Sequence, residues 1–423
     1  MKKTLGAMAA SAVSVTALAQ SSVTLFGVVD AGISYYQTTS KFVGVRGAPA
    51  LNFVGTADLK QSQWALTSGN YNNSRIGFRG TEDLGGGLAA SFWLESPMTN
   101  DDGVVGASTF GRRSTISLSG DFGELRLGRD YTPTFWNDGI FDPFGVNGVG
   151  TNLIATMSAG PRTVSAAGVD RGLFSNANYI RASNSIGYIL PPNLGGFYGQ
   201  LMYAFNEQIK YDPGLSTPAT PLNKSRAGRY AGGRFGYANG GLDIAAAYGE
   251  SVTGDNYFLG QTTKVRTANI GASYDFGVVK LFGELSRVKN VFDDVNPPLI
   301  GTGDFKGDGT LIGATVPAGP ALIRMAWSRV KLNYTSAPTV ATVLIPPDPK
   351  ADKFALGGVY NLSRRTALYA TAALIKNKNG ANFNANSTFV AGTPGFTNTF
   401  LTTGQGYQAK DAMGYDFGIR HAF

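Results

Sequence analysis

The side chains that could do chemistry here are few in kind. The 423 residues include no cysteine and a single histidine, His421. No thiolate nucleophile or Cys-bound metal is available, and a Ser/His/Asp site would lack a placed base. The acid pairs Glu82-Asp83 and Asp293-Asp294 stand in turn or loop sequence, where carboxylates are solvated. GDFKGDG at 303–309 has too few acids, badly spaced, for a calcium loop. GVNGVG at 145–150 lacks the lysine and the strand–helix context of a phosphate loop. These residues imply no enzyme, no metal and no cofactor. What remains is fixed charge: Arg75 in SRIGFRG, Arg113 in RSTISLSG, Arg126 in ELRLG and Arg181 in RASNSIGY. A guanidinium does not deprotonate in a protein, so such a set can order water and steer ions.

Each of these arginines sits in a run of period two. Ile76 and Phe78 alternate with Arg75 and Arg79, and Ile116 and Leu118 alternate with Arg113, Thr115, Ser117 and Ser119. Alternation of this kind marks a strand between two unlike environments. It recurs along the chain. In Val23–Tyr36, Leu25, Val29 and Ile33 oppose Thr24, Asp30 and Ser34. Further runs cover 196–205, 268–276 and 366–375. The last ten residues, GYDFGIRHAF, put Tyr415, Phe417, Ile419, His421 and Phe423 on one face and Asp416 and Arg420 on the other.

The connections alternate too. Short turns rich in Gly, Asn, Asp and Pro fall at 83–87, 120–123, 192–196, 239–241, 275–277, 317–319 and 361–365. Between them lie long polar stretches such as 37–73, 131–178, 207–228, 289–309 and 376–410. Seven short turns and eight long loops make sixteen strands, including strands near 310–316 and 321–330. An even-stranded antiparallel barrel with tight turns on one rim and long loops on the other is the outer-membrane design. A soluble sandwich or solenoid would not require that alternation. In this reading Tyr415, Phe417, Ile419 and Phe423 face lipid, the four arginines face the lumen, and Arg112 sits at the rim.

The N-terminus supplies the compartment. Lys2 and Lys3 precede a short apolar run, and Ala17-Leu18-Ala19 has the form of a signal-peptidase site. Residues 1–19 are read as a cleaved leader, with 20–423 as one domain. The formal charge is +8, or +6 once the two leader lysines are removed, and it is dispersed. Nothing resembles a nucleic-acid footprint.

With these motifs in hand the chain resembles a Gram-negative general diffusion porin, most similar to the betaproteobacterial trimeric type. The resemblance rests on VTLFGVVDAG at 23–32, SRIGFRGTEDLGGGL at 74–88 and GRRSTISLSGDFGELRLGRDYTP at 111–133. RASNSIGY at 181–188, residues 351–380 and the terminal GYDFGIRHAF complete it. It implies a homotrimer of sixteen-stranded barrels in outer-membrane lipid and lipopolysaccharide, passing small hydrophilic solutes and ions. It also implies that the terminal aromatic strand, with Tyr415, Phe417, Ile419 and Phe423, is read by the outer-membrane assembly machinery.

In such porins the third long loop, here 131–178, folds into the lumen, and wall arginines oppose its acids. The resemblance matches Arg75, Arg113 and Arg181 to the basic wall, with Arg126 sharing their parity. Asp138 and Asp142 on the loop and Glu95 on the wall would be the opposing charges. Val28 stands where some relatives have lysine, and the second half of the loop, MSAGPRTVSAAG at 157–168, departs from better-known relatives. The arginine excess predicts preference for anions. Two other readings share the fold. One is a substrate-selective channel for organic acids, phosphate or sugars, with Trp93, Tyr198 and Tyr369 as an aromatic slide. The other is a surface-binding protein acting through its long loops.

Overall fold

The structure, a computed structural model, describes residues 22–42, 57–106, 109–159, 176–209, 226–256, 261–294, 305–334, 348–385 and 407–423. The leader at 1–19 lies outside the described residues, as does the loop's second half from 160 to 175. Strands β1 (Ser22–Phe42), β2 (Leu59–Ser68), β3 (Arg75–Gly85), β4 (Leu88–Pro97), β5 (Arg113–Gly120) and β6 (Gly123–Tyr131) come first. A helical segment follows, with α1 (Pro133–Ile140), a 3-10 turn (Gly148–Gly150) and α2 (Leu153–Ser158). The chain then continues through β7 (Arg181–Ile189), β8 (Phe197–Ala204), β9 (Tyr230–Asn239), β10 (Leu242–Asn256), β11 (Gln261–Asp275) and β12 (Lys280–Asp294). Strands β13 (Phe305–Ala318), β14 (Ala321–Tyr334), β15 (Lys350–Asn361), β16 (Thr366–Lys378) and β17 (Tyr407–Ala422) complete it.

Seventeen segments occupy sixteen positions in the sheet. The upper half of β1 pairs with β2, from Ala31 opposite Ser68 to Ser40 opposite Leu59. Its lower half pairs with β3, from Ser22 opposite Thr81 to Val28 opposite Arg75. Thus β2 and β3 are two pieces of one strand, interrupted by Gly69–Ser74. The sheet closes where β1 meets β17, from Val28 opposite Ala422 to Phe42 opposite Tyr407. The backbones of Gly27 and Phe423 exchange two hydrogen bonds of 3.1 Å across this seam. Closure pairs every edge, which a bilayer demands because its core offers backbone groups no water.

The faces sort by parity as the sequence implies. Phe417 is 60% exposed and its neighbour Asp416 only 2%. Around the ring Leu25, Ile33, Phe78, Ile116, Leu201, Ile270, Leu285 and Leu356 point outward and are exposed. Ser34, Thr67, Asn269, Glu284, Ser328 and Thr371 point inward and are buried. An apolar exterior around a polar interior is stable only with hydrocarbon outside and water or polar chain within. No described helix is long and apolar enough to cross a membrane, so the crossing elements are the strands. His421 lies on the outward face, beside Thr366 at the short-turn rim.

Several strands run further than polarity suggests. β1 continues to Phe42 and β2 resumes at Leu59, so much of the 37–73 stretch is strand. Thr38 and Ser40 lie on its buried face. A wet interior lets the inward face stay polar to the end of the strand, and the alternation fades. The strands expected near 310–316 and 321–330 are full-length β13 and β14.

The α1–α2 segment lies inside the barrel. Pro133 begins α1 at a position that needs no amide hydrogen. Asn152 caps α2, its Oδ1 accepting from Ala155 N at 2.8 Å. The segment rests on the wall formed by β9 to β17, and that wall carries glycine where the two come closest. A methyl group at Gly271 would overlap the Phe141 ring, and one at Gly309 would overlap Ile154. The buried cluster of Phe144, Val149, Leu153 and Met157 with wall residues such as Val330 and Ile375 completes the seat.

Candidate functional site

Strands β3, β5 and β7 all descend from the long-loop rim, and Arg75, Arg113 and Arg181 are their first residues. Register therefore gathers these arginines near that rim of one wall, with Arg113 opposite Glu95 and so two residues below Arg75. Arg75 donates to Asn72 Oδ1 at 2.8 Å and to the Asn73 carbonyl at 3.0 Å, with Nε 3.7 Å from Glu95. Arg181 donates to the Tyr131 hydroxyl at 2.7 Å and lies 4.3 Å over that ring. Its Nε is buried without a hydrogen-bond partner among the described residues. Arg113 sits lower, 3.5 Å from Asp130 and 4.6 Å over the Trp93 ring. Arg126 is held by Glu124 at 2.8 Å and Asp130 at 2.6 Å.

Arg112 is the residue that strand parity misplaces. It precedes β5, so the alternation does not apply to it, and its side chain turns inward to Glu95 and Tyr131. Its Nε donates to Glu95 Oε1 at 2.5 Å and its Nη2 to the Tyr131 hydroxyl at 2.8 Å. Glu95 and Tyr131 thus stitch Arg75, Arg112 and Arg181 into one cluster. Among the described residues Glu95 pairs with Arg75 and Arg112, and Arg181 joins through Tyr131 without a carboxylate of its own, while Arg113 and Arg126 below are matched by Asp130 and Glu124. The uncompensated charge is concentrated at the upper level. Val28 faces inward and is buried, and adds none.

Asp138 and Asp142 do not face these arginines. Both are buried where the inward segment meets the opposite wall. Asp138 accepts from Tyr179 at 2.6 Å and from Asn269 Nδ2 at 2.5 Å, with Glu284 alongside. Asp142 accepts from the backbone of Phe144 and Val146, both at 3.0 Å, and from Asn152 at 2.9 Å. Burial pushes both carboxyls above their ordinary range, against the pull of these donors. The correction has a physical reason. A loop entering a barrel leaves backbone amides unpaired, and Asp142 satisfies two of them, while Asp138 ties the segment to Asn269 on the wall and to Tyr179, so both acids are anchors. Among its described residues the segment turns Trp136, Gly145 and Asn147 toward the lumen and no charged side chain.

Two further anchors were not visible in the sequence. Asp416 on β17 accepts from Val149 N at 2.6 Å and from Ser34 Oγ at 2.7 Å. Arg324 on β14 is 4% exposed and lies 4.9 Å over Tyr71 and 4.7 Å over Phe144. It joins the inward segment to the Gly69–Ser74 interruption, which itself projects inward. Asp30 holds that interruption by accepting from the backbone of Tyr71 and Asn72 at 3.0 and 2.7 Å. The continued alternation on either side of GNYNNS was the available signal. The three lumen aromatics do not form one track. Tyr369 is buried with its hydroxyl on Asp30, Tyr198 bonds Asp243 under Arg234, and Trp93 lies apart on β4.

A wall of arginines facing a loop whose described lumen face carries no charge presents an asymmetric field within the barrel. Known proteins share this frame. The sequence model of the Gram-negative porin family matches residues 6–380. Outer membrane porin protein 32 of Delftia acidovorans is 37% identical over 423 residues, covering 100% of both chains. An outer membrane porin protein of Bordetella pertussis is 31% identical over 402 residues, covering 89% of this chain and 95% of its own. Among solved structures, an anion-selective porin from Comamonas acidovorans superposes with a TM-score of 0.68 at 33% identity. That match covers 95% of this chain and all of the other.

Proposed function

The chain belongs to the Gram-negative porin family, and from that premise we propose that its pore prefers anions because the cluster of Arg75, Arg112 and Arg181 holds, among the described residues, the single carboxylate of Glu95. It is an outer-membrane porin, a water-filled channel for passive diffusion of small hydrophilic solutes and ions. Its relatives are porins, which are channels rather than enzymes. Anion selectivity is named for the Comamonas acidovorans structure. Here the observation that carries it is the uneven pairing of the upper cluster. Arg113 and Arg126 extend the basic wall downward with their charge already balanced.

Glu95 is the control point. Changing it to Gln keeps a hydrogen-bond acceptor for Arg112 and removes the one carboxylate that the described residues place in the upper cluster. The expected result is a reversal potential displaced further toward the anion limit, with roughly a threefold rise in the anion-to-cation permeability ratio. A displacement toward cations in Glu95→Gln would show that the cluster does not set the field.

Assembly belongs to the same reading. The homotrimer implied by the sequence resemblance predicts a scattering mass of three chains in mild detergent. Lipopolysaccharide and membrane lipid then cover the remaining apolar exterior. The outward Tyr415, Phe417, Ile419 and Phe423 are the side chains we assign to recognition by the assembly machinery. Residues 1–19 are assigned as the exported leader.

A further inference from the structure

Below the upper cluster the basic wall opens into a recess of about 370 Å³. We propose that this recess, on the short-turn side of the constriction, is a second binding station for small oxyanions such as inorganic phosphate. The proposal rests on the anion-preferring reading above and adds to it a place where the anion pauses after the constriction.

Strand register builds the station. Thr24 stands opposite Arg79, Arg79 opposite Trp93, and Trp93 opposite Thr115, so four strands contribute one inward row. The next row down runs Thr81, Ser91, Ser117 and Arg126. Rows of hydroxyls beneath guanidinium groups suit an oxyanion, which accepts hydrogen bonds from both. Arg79 lies 5.2 Å from the Trp93 ring centroid, and Arg113 lies 4.6 Å from it. The indole thus holds two guanidinium groups apart at the edge of one recess.

The charges differ in their freedom. Arg126 is bound by Glu124 and Asp130, and Arg113 shares Asp130 at 3.5 Å. Arg79 has no carboxylate within ion-pair distance among the described residues, only the rings of Phe26 and Trp93. It is exposed to the lumen with its donors open. Four residues along β3 separate it from Arg75, about 13 Å at the rise of a strand. That spacing exceeds the screening length of physiological salt, so Arg79 is largely screened from Arg75, whereas Arg113, opposite Glu95, borders both levels.

The test is the chloride current of full-length channels in a planar bilayer titrated with inorganic phosphate at constant pH. Wild type is expected to show a saturable fall in conductance. Arg79→Gln is expected to raise the half-blocking concentration by about fivefold, with Arg79→Lys between them. Chloride selectivity should change less in Arg79→Gln than in Arg75→Gln. An identical half-blocking concentration in wild type and Arg79→Gln overturns the station, as does a conductance that never saturates. A wild-type channel without anion preference, but with Arg79-dependent block, would instead remove the upper-cluster reading and leave the station standing.

Discussion

Replacing Arg75 and Arg181 together by Gln is expected to abolish most of the anion preference, lowering the anion-to-cation permeability ratio by about tenfold or more. Both belong to the upper cluster, and their loss leaves Arg112 against Glu95 at 2.5 Å with no net charge. A unit charge about 7 Å from a passing ion acts with roughly 0.6 kcal/mol at the dielectric of water and about 2.4 kcal/mol near a protein surface. Each arginine raises the energy of a cation and lowers that of an anion, so the effect on the ratio is doubled. Screening across about 8–10 Å removes part of it. Reversal potentials under a potassium chloride gradient read the ratio directly. Arg126→Lys, which preserves the charge beside Glu124 and Asp130, is the control and should move the potential little.

Asp142→Ala is expected to release the inward segment rather than to alter the sign of the field. The carboxylate gathers the amides of Phe144 and Val146 and the side chain of Asn152. Losing three such bonds costs the segment about 3 kcal/mol, at roughly 1 kcal/mol each. That favours detached conformations by more than about a hundredfold. Conductance should rise and become noisier, and protease should cut between α1 and α2. The barrel's own thermal unfolding should change little, because its strands pair around a closed ring. A purely electrostatic acid would behave otherwise. Its removal would raise anion preference at unchanged conductance and protease resistance, and that outcome would return Asp142 to the field.

The difference between these two predictions follows what a sequence can and cannot display. Period two places Arg75, Arg113 and Arg181 on the polar face, because pleat geometry alone decides it. Closure at Phe423 is legible for the same reason, since the outward and inward residues of β17 differ in kind. The inward segment is not periodic, so nothing local says whether Asp138 meets an arginine or Tyr179. Arg112 escaped because strand parity was extended one residue beyond the strand. Arg324 reads as one more lumen charge, and only its neighbours Tyr71 and Phe144 show that it is a clamp. The break at Gly69–Ser74 was hidden because a polar stretch between two polar-faced strands looks like the rest of a long loop. Contacts remote in sequence, set by how a loop lies on a wall, are the part that composition and spacing do not encode.

The most direct measurement is the reversal potential of the purified wild-type channel in a planar bilayer under a tenfold potassium chloride gradient. Three arginines around one carboxylate predict a stable open pore whose potential lies toward the chloride limit, and more so at low ionic strength. A potential on the potassium side would contradict the account, because no charged group on the described lumen face of the inward segment could then be responsible.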